Sequence, residues 1–440
     1  MFKTLKTAWG IPEIRKKILF TLFIILIFRF GSVITVPFLD TAILKDWMKD
    51  KASGGNFLEY LDILSGGALS KATVFSLGVT PYINASIIIQ LLTYALPPLE
   101  RLQQEGEDGR KKLNTITSYV ALGLSAFMGT AYFLTLKRSA KAVKYTSGKD
   151  GTFAMFVIIL TFMAGSSLVI WLGNRINEKG IGNGISMILF AGIVSRIPSD
   201  LGTLFGRYVF KQPEKYFITV VVYLLIFVAM VVGIVYFNEA ERRIPVQYAK
   251  RVVGRKQYGG QSTHIPIKVC MSGVMPIIFA MSFMSLPSMF TMFKEPAANP
   301  TSFGGKFYKG FVEFFKTRNY TYAALYFLLI ILFNYFYVAI QYNPVEMANN
   351  LRQSNGGIPG IRPGKPTSDY IQRVLSKISL VGAVFLGVVA VFPIIFLRIT
   401  DIDVSSMGGT SILIVVSVAI ETVRTLESQL MMRHHKGFLG

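Results

Sequence analysis

Few side chains in this 440-residue chain could do covalent, redox or metal chemistry. There is one cysteine, Cys270, and there are three histidines, His264, His434 and His435. A lone cysteine forms no intrachain disulfide, and no Cys/His group has zinc-site spacing. His434 and His435 sit between Arg433 and Lys436 and read as a solvated tail rather than as metal ligands. The string Gly360-Ile361-Arg362-Pro363-Gly364-Lys365-Pro366-Thr367 superficially suggests a phosphate loop. Pro359 stands where its first glycine belongs, however, and Pro366 parts the lysine from the hydroxyl. Gly180-Ile181-Gly182-Asn183-Gly184 has the wrong glycine spacing for a dinucleotide loop and follows no strand. The apolar segments hold no Ser/His or paired-Asp constellation. The expectation is a protein that is not an enzyme, has no metal or cofactor, and takes its energy from a partner.

The elements that position these residues are membrane spans. Apolar residues make up 52% of the chain and charged residues only 16%, against about 25% charged in soluble domains. Mean hydropathy is +0.48. Eight uninterrupted apolar stretches, 18–38, 72–96, 115–136, 153–172, 216–237, 269–293, 320–342 and 378–397, can each cross a layer of ~30 Å. Two weaker ones, 185–197 and 411–420, end at Ser195-Arg196 and at Glu421 and Arg424. Together they predict an all-α membrane protein of ten transmembrane helices in two pseudo-symmetric inverted halves of five. The weak segments are the fifth of each half, and the second of each half carries an internal proline, Pro81 or Pro276. Matched short or Pro-interrupted segments point to a pathway between inverted repeats. Residues 1–17 are basic, and the long first apolar run, with no small-residue cleavage site after it, reads as a span rather than a cleaved signal.

The eight clear stretches contain no Asp, Glu, His or Lys and one arginine, Arg29, which is expected to pack against carbonyls or snorkel. Asn84, Gln90 and Asn334 are polar but do not titrate. The alternative, an ion-coupled transporter of small solutes, needs a titratable site at midplane. Lys and Arg number 25 on the side of the termini and 19 on the other, which puts both termini in the cytoplasm. The net charge of +22 suits anionic lipid or an acidic macromolecule. Much of it lies in two long loops on the side of the termini. Residues 238–268 carry Arg242, Arg243, Lys250, Arg251, Arg255, Lys256 and Lys268, and residues 343–377 carry Arg352, Arg362, Lys365, Arg373 and Lys377. Both exceed the ~2–8 residues that suffice to join neighbouring helices, which suggests docking rather than mere connection.

Several ordered blocks carry a resemblance over essentially the whole chain. They are Ser65-Gly66-Gly67-Ala68-Leu69-Ser70, Pro81-Tyr82-Ile83-Asn84-Ala85-Ser86, Gly180-Ile181-Gly182-Asn183-Gly184, Arg242-Arg243-Ile244-Pro245-Val246-Gln247-Tyr248, Gln261-Ser262-Thr263-His264-Ile265-Pro266 and Ile358-Pro359-Gly360-Ile361-Arg362-Pro363-Gly364. The sequence resembles the SecY family, central subunits of the bacterial Sec protein translocase. That resemblance implies a protein-conducting channel in the bacterial plasma membrane, passing unfolded secretory polypeptides across and releasing hydrophobic segments sideways. It implies a pore ring at Val79, Ile83, Ile185, Leu189, Ile278 and Ile414, with valine and leucine where relatives often have isoleucine. It implies a plug over about 56–70 with Phe57, Leu61, Ile63 and Leu64 and a hinge at Gly66 and Gly67. A lateral gate is implied between spans two, three, seven and eight, with Gln90 and Cys270 at it. Cys270 replaces an asparagine common in relatives, so Gln90 is the expected polar gate residue. Implied partners are the small membrane subunits SecE and SecG, the motor ATPase SecA, the ribosome, signal peptides, nascent polypeptides and membrane lipids. The implied divisions are 1–17, 18–197 with the plug, 198–237, the loop 238–268, 269–342, the loop 343–377, and 378–440.

Overall fold

The computed structural model describes the chain apart from residues 1, 53–56, 139, 146–147, 207–212, 249–250, 254–255, 259–261, 294–302, 316–318, 401–407 and 437–440. In the first half, α1 (Phe2–Gly10), α2 (Pro12–Gly31), α3 (Thr41–Ala52) and α4 (Phe57–Leu64) precede α5 (Thr80–Ala95), α6 (Pro97–Gln104), α7 (Glu107–Arg138), α8 (Gly148–Lys179) and α9 (Gly184–Leu204). In the second half, α10 (Pro213–Glu239) leads into β1 (Glu241–Tyr248), β2 (Arg251–Val253), β3 (Lys256–Tyr258) and β4 (Ser262–Lys268). There follow α11 (Met275–Phe293), α12 (Phe303–Phe314), α13 (Tyr320–Gln341), α14 (Pro344–Gln353), β5 (Gly356–Gly357), α15 (Lys365–Thr400) and α16 (Gly409–Lys436).

Among the described residues, α7, α8, α9, α10, α13, α15 and α16 are long and apolar enough to cross a membrane, and α5 with α6 forms a candidate pair bent by 101°. The helices α2, α5 and α11 occupy the three remaining stretches expected to span.

Three expectations about these spans need correction. The segments 185–197 and 411–420 are not short: α9 runs 21 residues and α16 runs 28. Helix α9 continues through Arg196 because that guanidinium is neutralised by Asp62. Helix α16 tolerates its charges because Arg424 Nη2 donates to Asn238 O at 3.0 Å, at the base of the basic loop. Pro81 and Pro276 do not interrupt helices either. Each is the second residue of its helix, where a missing N–H costs nothing. The stretches 72–96 and 269–293 therefore begin as non-helical backbone, with Ala72, Gly78 and Gly273 at positive φ, and turn helical only at Thr80 and Met275. The first span ends at Gly31 rather than at residue 38.

The long loops are also more ordered than their charge suggests. Strand β1 pairs antiparallel with β4 from Glu241↔Lys268 to Gln247↔Ser262, and Gln247 and Tyr248 pair with Gly357 and Gly356 of β5. The loops 238–268 and 343–377 thus share one sheet in the order β4-β1-β5. Beneath it Ile244, Val246 and Ile267 pack on Leu351, Ile358, Ile371 and Leu375.

Helix α8 approaches the non-helical stretch before α5 closely, where glycine faces backbone. A Cβ on Gly165 of α8 would lie 2.0 Å from Val74 O, whereas one on Gly123 of α7 would meet nothing within 4 Å. Gly165→Ala should therefore destabilise the detergent-solubilised protein by about 1–3 kcal/mol, read as a fall in Tm, while Gly123→Ala leaves Tm unchanged or slightly raised.

Candidate functional site

The six aliphatic residues expected at the pore ring come from four helices that are far apart in sequence. Val79 is the N-cap of α5 and Ile83 lies in its first turn. Ile185 and Leu189 occupy the first two turns of α9, whose N-cap Asn183 accepts from the N–H groups of Ile185 and Ser186. Ile278 is in the first turn of α11 and Ile414 in the second turn of α16. Five of them are buried members of one apolar cluster, and half-buried Ile185 packs against it. None of these six side chains has a hydrogen-bond donor or acceptor. Leu64, from α4, belongs to the same cluster.

The segment expected to be the plug comprises α4 and the turn that follows it. Leu61, Ile63 and Leu64 are buried; the side chain of Phe57 and residue 56 lie outside the described residues. Gly66 and Gly67 adopt φ of +68° and +82°, a left-handed pair that L side chains rarely adopt. The turn presses on α9, where a Cβ on Gly192 would come within 2.8 Å of Leu64 O. The polar groups of the turn are held from outside it. Asp62 pairs through Oδ2 with Arg196 of α9, and its Oδ1 accepts from Ser70 N–H at 2.7 Å. Tyr132 Oη on α7 donates to Leu69 O at 2.8 Å. Arg29 Nη1 reaches Gly66 O at 3.4 Å, so Arg29 does pack against a carbonyl.

Arg196, Gly192 and Tyr132 were not singled out from the sequence. Arg196 looked like the end of an apolar stretch. The available clue was a carboxylate, Asp62, set among Leu61, Ile63 and Leu64.

At the expected gate, Gln90 is half-buried on α5, and Cys270 is buried in the central cluster ahead of α11. The buried polar link lies elsewhere. Ser272 Oγ donates to Asn334 Oδ1 on α13, and Asn334 Nδ2 donates to Ser379 O on α15 at 2.9 Å. Helix α11 packs against α13 on one side and α7 and α5 on the other.

Of the expected docking residues, Arg242, Arg243 and Arg362 are exposed, with Arg243 Nε on Glu241 Oε1 at 2.7 Å. Arg251 and Lys256 fall on the paired strands β2 and β3, with side chains outside the described residues. Lys250 and Arg255 lie outside the described residues altogether.

A SecY family model matches residues 73–423. The chain belongs to the SecY family. The protein translocase subunit SecY of Mycobacterium bovis is 40% identical over 438 residues, covering 97% of each chain. That of Halalkalibacterium halodurans is 39% identical over 456 residues and covers all of both. Among solved structures, one described as a protein conducting channel aligns with a TM-score of 0.64 at 16% identity over 96% of each chain. Sec61 in a canine ribosome-channel complex aligns with a TM-score of 0.59 at 14% identity, again over 96% of each. At such identities the likeness is one of fold, an all-α multi-pass channel fold. As a SecY family member the chain is a membrane-embedded protein-conducting channel subunit.

The Ser272–Asn334–Ser379 link makes a testable claim about that channel. Asn334→Leu leaves the Ser272 hydroxyl buried without its partner and should cost about 1–3 kcal/mol, seen as a lowered Tm in detergent. Gln90→Leu, at a half-buried position, should shift Tm far less.

Proposed function

We propose that the six-residue aliphatic ring is the seal of this channel, and that it works by having no chemistry at all. The observation carrying this reading is that Val79, Ile83, Leu189, Ile278 and Ile414 gather with Leu64 in one buried apolar cluster, with Ile185 packed against it. A narrow apolar constriction sheds water and so blocks ions. It also offers a moving polypeptide no hydrogen-bond partner, so it closes on any sequence and grips none. The plug segment 56–70 seats against the ring from one side and is displaced when a chain enters.

Sideways release follows from partitioning between the pore and lipid. Leu, Ile, Phe and Val each favour the bilayer by about 0.3–0.6 kcal/mol, and a central Asp, Lys or Arg costs about 2.5–3.5. Some twenty apolar residues thus leave between α5 and α7 on one side and α11 and α13 on the other, with Gln90 and Cys270 at that gate, while polar stretches go through. The protein itself is not an enzyme: energy comes from a partner. The partners fitting this reading are SecE and SecG in the membrane, SecA and the ribosome at the basic loops, and signal peptides, nascent polypeptides and lipids at the pore and gate. Ribosome docking is supported by the description of the canine neighbour as a ribosome-channel complex. The setting is the bacterial plasma membrane with both termini cytoplasmic, ten helices crossing in two halves.

Replacing Ile83 or Ile278 with asparagine should make the resting or translocating channel leak ions, because a hydrogen-bonding side chain retains water where an aliphatic one sheds it. Exchange among Ile, Val and Leu should be nearly silent. Single-channel conductance in planar bilayers decides the matter, with Val221→Asn on the lipid-exposed face of α10 as control. Ring variants that conduct no more than this control would sink the seal assignment.

Reversing charge at Arg251, Arg255 and Arg362 should weaken binding of SecA and the ribosome while leaving membrane insertion intact. The difference from wild type should shrink as salt rises, since exposed charges are screened over ~10 Å at 0.1 M. Equal binding across a salt series would leave these residues with topology alone.

A further inference from the structure

We infer that Arg196 is the positioning residue that holds the channel's plug shut, through its ion pair with Asp62. This deepens the channel reading above and rests on it. Among the described residues, Asp62 is the buried carboxylate of the segment, with side-chain exposure of 8% against 23% for Arg196. One carboxylate oxygen takes the guanidinium and the other takes Ser70 N–H at 2.7 Å. A single side chain therefore ties both ends of the turn 62–70 to α9. The neighbouring contacts cannot substitute for it. Tyr132 on Leu69 O is a neutral bond, and Arg29 reaches Gly66 O only at 3.4 Å. The backbone at Gly66 and Gly192 is in close approach, which fixes position but supplies no attraction of that strength.

A buried ion pair suits a latch better than an apolar contact does. It adds little to stability when intact, yet losing one partner leaves a buried charge unpaired. Displacing the plug into water frees both charges to be solvated together, so the closed state depends on the pair while the open state does not. Apolar contacts of Leu61 and Leu64 would instead oppose movement in proportion to area, without a threshold.

The test uses the full chain in its translocase complex, in planar bilayers without substrate. Asp62→Asn and Arg196→Gln should each raise the resting open probability at least about tenfold, the change that 1.4 kcal/mol of differential stability produces. Arg196→Lys, which keeps the charge but loses the planar fork, should fall between them and wild type. The reversed pair, Asp62→Arg with Arg196→Asp, regains the ion pair though not the Ser70 bond and should leak clearly less than either single variant, an outcome that a merely structural role for Arg196 does not produce. The conducting variant Ile278→Asn serves as the positive control. If Ile278→Asn leaks while Asp62→Asn and Arg196→Gln stay silent, the latch is wrong and the channel stands. The latch is equally overturned if the single variants leak and the reversed pair leaks as much. If none of the variants leaks, the channel reading falls and the latch with it.

Discussion

A backbone N–H, carbonyl or charge surrounded by hydrocarbon must find a partner within the protein. Helices meet that demand locally, but the backbone between Leu64 and Thr80 is not helical and is packed among helices that cross the membrane. Its groups are satisfied one at a time. Thr73 and Ser76 hydroxyls donate to Ala68 O, Tyr132 to Leu69 O and Arg29 to Gly66 O. Asp62 serves Ser70 and Arg196. The late start of α5, the close approach of Gly66 to Gly192 of α9 and both arginines of the apolar region follow from having to accommodate this irregular stretch.

The proposed pore ring answers the opposite requirement. It must exclude water and ions without recognising what passes, and aliphatic side chains do so because they are indifferent to sequence. The turn 62–70, the proposed plug, is instead held by polar contacts. On these proposals sealing and holding shut are divided between residues of different chemistry: Ile83, Ile278 and their neighbours exclude water, while Asp62 and Arg196 set how firmly the plug sits. The two can be altered independently.

Much of this architecture was legible in the sequence because hydrocarbon imposes long charge-free runs, and α7, α8, α10, α13 and α15 fall where such runs were read. The errors have a common origin. In a sequence a charge or a proline shows only its own propensity, whereas structure depends on its partner. Arg196 seemed to end α9 because Asp62, 134 residues away, is invisible to a sequence window. Pro81 and Pro276 seemed to break helices that they in fact begin. The strands β1 and β4 were hidden by charge, though Ile244/Val246 and Ile265/Ile267 alternate as a half-buried hairpin should. The ring could not have been found by periodicity, since six aliphatics in apolar segments look like any core. Only the family resemblance singled them out. Ser272 had no signal, being one serine among many.

The sheet β4-β1-β5 has a mechanical consequence. Strand β4 ends at Lys268, six residues before α11 begins, and β5 follows directly on α14, which itself follows α13. Strand β1 bonds to both. A load applied to the sheet is therefore delivered to the near end of α11 through a short stretch of chain, and to that of α13 through α14, rather than through compliant lipid. The sheet is a short lever with two arms, and its stiffness limits how far those helix ends can move apart while it stays folded.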